Sequence, residues 1–146
     1  MLSVGYRVSS RRRARLGGTD VSRADIKHDY VMLGAIYGLG MLYADQGKLG
    51  VTEKMYQRAL EGFENALGRD HTVTLETVNN LGLLYADQGK LGEAEKMHQR
   101  ALEGKEKALG RDHASTLNTV NNLGILYRNQ GKLGEAEKMY QRALEG

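Results

Sequence analysis

Apolar and small residues recur along this chain at the spacing of helices. Between Leu75 and Tyr85 they occupy positions 75, 78, 81, 82 and 85. At about 100° per residue, these positions share one side of a helix. The pattern stops over residues 86–92 and then resumes at 94, 97, 98, 101, 102, 108 and 109. Gly89 lies in the break, where glycine can end a helix with a left-handed residue. The pattern predicts two antiparallel helices joined by a short turn.

The predicted helix pair is repeated along the chain. Residues 79–104, NNLGLLYADQGKLGEAEKMHQRALEG, return at 121–146 as NNLGILYRNQGKLGEAEKMYQRALEG, and more loosely at 37–62 as YGLGMLYADQGKLGVTEKMYQRALEG. Matching residues lie 42 positions apart. A fixed period of this size indicates a solenoid, in which each unit buries its apolar face against its neighbours. The predicted fold is an all-α solenoid of about three antiparallel helix pairs, within residues 29–146, at about 29–68, 71–110 and 113–146. We call these repeats one, two and three.

Single residues in the repeats suggest local roles. Gly62 and Gly104 fall inside second helices, where glycine costs about 1 kcal/mol relative to alanine, so a close contact or slight bend is a possible reason for them. Asp112 or Ser115 is expected to cap the following helix through a short oxygen-bearing side chain. His71 is expected to have a packing role in its linker.

The charge is unevenly distributed. The 146 residues carry a net charge of +3, and the basic excess is concentrated in residues 1–27, which contain seven basic and two acidic side chains. Residues 1–28 do not match the repeat, and we interpret them as a basic, disordered leader. Their arginine-rich composition also resembles a mitochondrial presequence and would suit polyanion binding. The absence of cysteine is consistent with a cytoplasmic protein, which is the expected location, with the mitochondrion as the alternative.

The sequence offers no candidate for catalysis. The Gly-Lys-Leu triplets lack the Ser or Thr that a phosphate loop places after its lysine. The two linker histidines, His71 and His113, lie 42 positions apart and do not supply the three or four converging ligands of a zinc site. No run approaches the roughly 20 apolar residues of a membrane span. We therefore expect no enzyme activity, no cofactor and no metal.

The repeat residues resemble a known family. Leu81-Gly82, Tyr85, Gly89, Ala94 and Ala101 have the spacing of the tetratricopeptide repeat signature, and repeat three matches it again. The 42-residue period and the linker ALGRDH, at 66–71 and 108–113, resemble the kinesin light chain variety, which also occurs as the sensor end of large signalling NTPases. The chain departs from the pattern in having no proline, His98 in place of a large aromatic residue, and a degenerate first helix in repeat one.

Repeats two and three differ at few positions. Between residues 75–104 and 117–146, five of thirty positions change, namely 76/118, 83/125, 86/128, 87/129 and 98/140. The first four lie on the side of the first helix away from the apolar stripe. Two interpretations stay open, which are neutral change on a solvated face and recognition of a ligand. The resemblance implies that this face lines a concave groove for a partner peptide.

The predicted groove residues come from the first helix of each repeat. They are Tyr37, Met41, Asp45, Glu76, Asn79, Leu83, Ala86, Asp87, Asn118, Asn121, Ile125, Arg128 and Asn129. Asn79 and Asn121 are expected to hold a peptide backbone, since an amide both donates and accepts.

The resemblance implies a protein–protein interaction adaptor or scaffold. The alternative is a fragment of the repeat region of a larger signalling NTPase, with a structural or self-association role. Self-association through an uncapped last helix is a further possibility, because terminal repeats normally need a polar cap. Membrane and nucleic-acid partners are not expected.

Overall fold

Six helices joined by short turns make up the described part of the chain. The structure is a computed structural model that describes residues 23–146, with side chains described from residue 29. The helices are α1 (Arg23–Asp45), α2 (Leu49–Leu67), α3 (Thr72–Asp87), α4 (Leu91–Leu109), α5 (Ala114–Asn129) and α6 (Leu133–Glu145). They form three consecutive pairs, one for each predicted repeat. The predicted all-α class is therefore confirmed.

The predicted leader, residues 1–28, falls mostly on residues that the structure does not describe, so its disorder stays a prediction. Residues 1–22 lie outside the described residues. Helix α1 begins at Arg23, six residues before the predicted repeat domain begins at position 29. Residues 23–28 contain neither glycine nor proline, so nothing in this segment opposes continuation of the helix.

The chain divides into two compact units, the first ending at Ala66 and the second spanning residues 67–146. In the first unit, α1 and α2 pack through aromatic residues. The ring centroid of Tyr37 lies 5.3 Å from that of Tyr56 and 6.4 Å from that of Phe63. Leu33 and Ile36 are buried in the same unit. This pair therefore has an apolar core of its own.

The second unit contains repeats two and three. Helix α3 packs on α4, α4 on α5, and α5 on α6, while α3 also meets α5. Ala94 of α4 forms a buried cluster with Leu123 and Leu126 of α5. The predicted apolar positions of repeat two thus serve two purposes, since they close their own helix pair and join it to repeat three.

The turn within each pair is built around a glycine. In repeat two, Gly89 has φ 78°, its N–H donates to the Ala86 carbonyl at 3.0 Å, and the Lys90 N–H donates to the Tyr85 carbonyl at 2.8 Å. These two bonds form a Schellman motif, which satisfies carbonyls left free at a helix end. The predicted role of Gly89 is confirmed.

The helix caps differ from the prediction. The N-cap of α5 is His113, whose Nδ1 accepts a hydrogen bond from the Ser115 N–H at 3.1 Å. His71 caps α3 in the same way, by accepting from the Val73 N–H at 3.1 Å. The expectation that Asp112 or Ser115 caps α5 is therefore wrong. The histidine supplies a ring nitrogen where capping residues usually supply an oxygen.

The glycines inside the second helices allow close contacts. A Cβ added at Gly104 would lie 2.6 Å from Leu75 Cδ2, and one added at Gly62 would collide with Leu33. On the first helix, a Cβ at Gly82 would lie 2.6 Å from His98 Cε1. Close approach of the paired helices is therefore the physical reason for these residues.

Candidate functional site

The predicted groove of the second unit lies on α3 and α5, which are brought side by side. Ser115 Oγ of α5 donates to Glu76 Oε1 of α3 at 2.9 Å. Leu83 and Ile125, which occupy corresponding positions of the two helices, are both exposed. The structure also leaves further predicted polar residues of these helices at least partly accessible. Those residues are Asp87, Asn118, Asn121, Arg128 and Asn129.

Asn79 does not lie on this surface. Its side chain is buried, and its Oδ1 accepts hydrogen bonds from His98 Nδ1 at 2.9 Å, Thr119 Oγ1 at 3.3 Å and Asn122 Nδ2 at 3.5 Å. Helix α5 supplies two of these donors and covers the asparagine. The proposed grip of Asn79 on a peptide backbone is therefore corrected, because its amide serves the junction between repeats. Asn121, the corresponding residue, is exposed.

Glu76 also has an internal partner. Its Oε1 lies 2.7 Å from Nζ of Lys105, whose side chain is 1% exposed. The lysine donates further hydrogen bonds to Thr119 Oγ1 at 3.1 Å and to the Ser115 carbonyl at 3.4 Å. A buried ammonium needs such partners, since desolvation of an unpaired charge is costly. The difference between Glu76 and Asn118 therefore has a structural explanation within the chain.

Lys105 is the residue that sequence reasoning missed. It lies four positions after the buried Ala101 and corresponds to the buried Phe63 of repeat one. The sequence did contain a signal for it, namely a lysine within the apolar stripe of a helix. A lysine at such a position either reaches solvent or is buried with a partner of opposite charge.

Two groups of this network, His98 and Glu76, have shifted pKa values. Burial, with the nearby charge of Lys105, lowers the pKa of His98 to about 4, so the ring is neutral near pH 7. Because the Asn79 oxygen can only accept, His98 Nδ1 carries the proton. Burial raises the pKa of Glu76. The hydrogen bond and charge of Lys105, together with the hydrogen bond of Ser115, lower this pKa by a larger amount, so the net shift is downward. The network therefore places the Lys105–Glu76 ion pair beside a neutral histidine.

Ala86 is the remaining predicted residue of the second unit. It is half-buried and packs against the cluster of Ala94, Leu123 and Leu126. Its counterpart Arg128 is exposed. The change from alanine to arginine thus coincides with a change in covering. The asparagines at 79 and 121, which are the same residue, also differ in burial.

The predicted residues of the first unit differ among themselves. Tyr37 is half-buried against Tyr56, while Met41 and Asp45 are exposed. Burial, then the charges of Tyr37 and Asp45, raises the pKa of Tyr56 to about 12. Tyr37 is therefore chiefly a packing residue, and two residues of this set are accessible.

Among residues 29–146, no group of three or more His, Asp or Glu side chains is arranged to hold a metal ion. No described helix combines the length and apolar character needed to span a membrane.

The arrangement defines a class of protein, namely an all-α repeat protein whose helix pairs share one period. The tetratricopeptide repeat family model matches residues 32–107 and again 74–146, and the chain belongs to this family. No curated protein matches it in sequence.

Solved structures show the same fold. BtubC (BKLC) from P. vanneervenii superposes with a TM-score of 0.76 at 26% identity, over 80% of this chain and 46% of that one. A putative kinesin light chain from Podosopora anserina with nearly identical TPR-like repeats gives a TM-score of 0.69 at 16% identity, over 99% of this chain and 74% of that one. A variant of that protein gives a TM-score of 0.70. The repeat is thus of the kinesin light chain-like type. The chain spans less than half the length of BtubC.

Proposed function

We propose that this chain is an interaction scaffold that binds a partner peptide along the solvent-exposed sides of α3 and α5. Repeats of this family indicate a protein–protein interaction scaffold. The peptide site is the further step, and we call it the α3–α5 face. It comprises Leu83, Asp87, Asn118, Asn121, Ile125, Arg128 and Asn129.

The observation that carries the proposal is that Leu83 and Ile125, at corresponding positions of adjacent helices, are both exposed. These apolar side chains are 41% and 37% exposed, on first helices that contact each other. A single exposed apolar residue needs no explanation, but two at corresponding positions of adjacent helices offer a small anchor surface. They can receive apolar side chains of an extended peptide.

The polar residues of the face suggest the chemistry of that peptide. Asp87 contributes a carboxylate in repeat two, while Arg128 contributes a guanidinium in repeat three. Since Glu76 is paired with Lys105, Asp87 is the acid of the face available to a ligand. A peptide with a basic residue toward repeat two and an acidic residue toward repeat three complements this arrangement. The amides of Asn118, Asn121 and Asn129 can bond its backbone.

Two other expectations from the sequence remain predictions. One is the extension of the peptide site to Met41 and Asp45 of repeat one. The other is the alternative that this chain is part of the repeat region of a larger signalling NTPase. Tetratricopeptide repeat proteins are generally non-enzymatic scaffolds, and we propose that this chain likewise catalyses no reaction.

The test is selection of peptides that bind the 146-residue chain from a random library, followed by affinity measurements on variants. Leu83→Arg and Ile125→Arg should each weaken binding of a selected peptide at least about tenfold, because central apolar anchors carry much of such an affinity. Leu133→Arg is the matched control, since it changes an exposed apolar residue of a second helix, α6. Equal loss in the control, or no loss in the two face variants, would contradict the proposal.

A further inference from the structure

The junction between repeats two and three shows how this chain joins one helix pair to the next. On the receiving side, Leu91 and Leu102 of α4 pack against the cluster that Ala94 forms with an inserting pair, Leu123 and Leu126 of α5. Both inserting leucines are buried, and the receiving leucines are partly covered. This contact is the apolar part of the junction.

Two polar contacts accompany it. Lys132 Nζ donates to Glu95 Oε1 at 3.2 Å, and Gln99 Nε2 donates to the hydroxyl of Tyr127 at 3.3 Å. The lysine and the tyrosine belong together, since Nζ of Lys132 lies 5.7 Å from the Tyr127 ring centroid. In the junction, Lys132 and Tyr127 of the inserting side thus contact Glu95 and Gln99 of the receiving side.

Helix α6 carries the receiving side a second time. We define the receiving face as the residues 42 positions after those of α4, all of identical type. They are Leu133, Ala136, Glu137, Gln141 and Leu144. Gln141 Nε2 donates to Glu137 Oε1 at 3.3 Å, which reproduces the 3.3 Å contact between Gln99 and Glu95. Leu133 is 66% and Leu144 87% exposed, so the apolar part of this face is open.

Helix α1 and the turn after it carry the inserting side. We define the inserting face as Leu39, Leu42, Tyr43 and Lys48, which correspond to Leu123, Leu126, Tyr127 and Lys132 and are identical to them. Lys48 Nζ lies 5.7 Å from the Tyr43 ring centroid, as in the junction. Leu42 is 50% exposed, whereas its counterpart Leu126 is buried.

We propose that a second copy of this chain docks head to tail, with its inserting face on the receiving face of the first. Leu42 of one copy covers Leu133 and Leu144 of the other, and Lys48 pairs with Glu137. The contact joins two different faces, so each added copy leaves one face of each kind open, and association continues into chains of copies. This surface is distinct from the α3–α5 face.

The contact between copies is weaker than the junction inside the chain. Thr119 and Asn122, which bond Asn79 in the junction, are replaced by Ala35 and Gly38 in α1, so their polar contacts are absent. On the receiving side, Arg128 replaces Ala86. We therefore expect association that depends on concentration rather than a permanent oligomer.

The test uses two variants of the 146-residue chain in sedimentation velocity over a concentration series. Leu42→Asp blocks only the inserting face and Leu144→Asp only the receiving face. Each variant alone should remain monomeric, with an association constant at least about tenfold below that of the unchanged chain. Mixed together, they should form a one-to-one dimer that grows no further, because each retains the face that the other lacks.

Other outcomes overturn the proposal. They are a monomeric unchanged chain at every concentration, self-association of either variant alone, and a monomeric mixture. Val51→Asp is the matched control, because it places the same charge at an exposed apolar residue outside both faces and should associate like the unchanged chain. If circular dichroism shows that an Asp variant is unfolded, Lys48→Glu and Glu137→Lys replace the pair. Each should weaken association alone, and the chain carrying both should recover it.

Discussion

The ammonium of Lys105 lies 2.7 Å from the carboxylate of Glu76, and the lysine side chain is 1% exposed. The lysine extends from α4 to the region where α3 meets α5, and there it also contacts Thr119. A single buried charge thus links the two helices of repeat two to the first helix of repeat three. The stability of the second unit should depend on this pair more than on any surface ion pair.

Glu76→Gln should destabilise the protein by about 1–3 kcal/mol. Removing one partner of a buried ion pair leaves an uncompensated charge, which typically costs about 3–5 kcal/mol. The carboxylate side is 48% exposed, so water offsets part of that loss. Urea unfolding monitored by circular dichroism measures the change.

Two control variants separate the loss of the buried ion pair from the loss of a surface carboxylate. Glu103→Gln removes the partner of Lys107 in a pair that is more than 70% exposed on both sides, and it should change stability by less than about 0.5 kcal/mol. Lys105→Met combined with Glu76→Gln should recover much of the loss, because no buried charge remains. Equal effects of Glu76→Gln and Glu103→Gln would show that Lys105 does not depend on its carboxylate.

The repeat period was sufficient to predict the helix pairs and their turns, but not which face residues are accessible. Asn79 and Asn121 are the same residue at the same position of near-identical repeats, yet one is buried and the other exposed. The difference arises from α5, which covers Asn79, and periodicity within one repeat does not specify the residues that cover it. Lys105 illustrates the same limit, since its partners come from two other helices, one of them in the next repeat.

Stability should fall as the pH is lowered toward 5, because of His98. Its pKa is lowered to about 4 in the folded protein, against 6.5 when exposed. Between these values the unfolded chain binds a proton that the folded chain does not, so acidification favours unfolding. The stabilising contribution is complete above about pH 6.5, and about 2 kcal/mol of it should be lost between about pH 7 and pH 5. Urea unfolding at the two pH values measures this loss.

His98→Tyr provides the comparison for this pH dependence. Tyrosine is the natural residue at the corresponding position 140, where it lies over Gly124 as His98 lies over Gly82. The variant lacks the titrating ring and should lose most of the pH dependence between about pH 7 and pH 5. An unchanged dependence in the variant would assign the effect to other groups.

Gly104→Ala should destabilise the protein although it raises helix propensity. The new Cβ would lie 2.6 Å from the buried Leu75, and overpacking of this kind typically costs about 1–3 kcal/mol. Gly92→Ala is the matched control in the same helix, since no atom lies within 4 Å of its added Cβ. It should stabilise by about 0.5–1 kcal/mol. Thermal unfolding of both variants should give opposite shifts, and equal shifts would contradict the close contact.

His113→Ala should destabilise the protein by about 1 kcal/mol, because it removes the acceptor that holds the Ser115 N–H at the start of α5. His113→Asn should retain most of the stability, since asparagine is a favoured N-cap residue. Asp112→Ala is the control, because Asp112 is exposed and is not the N-cap. Its thermal unfolding midpoint should match that of the unchanged chain. If Asp112→Ala proved the more damaging of the two alanine variants, the capping role would belong to the aspartate after all.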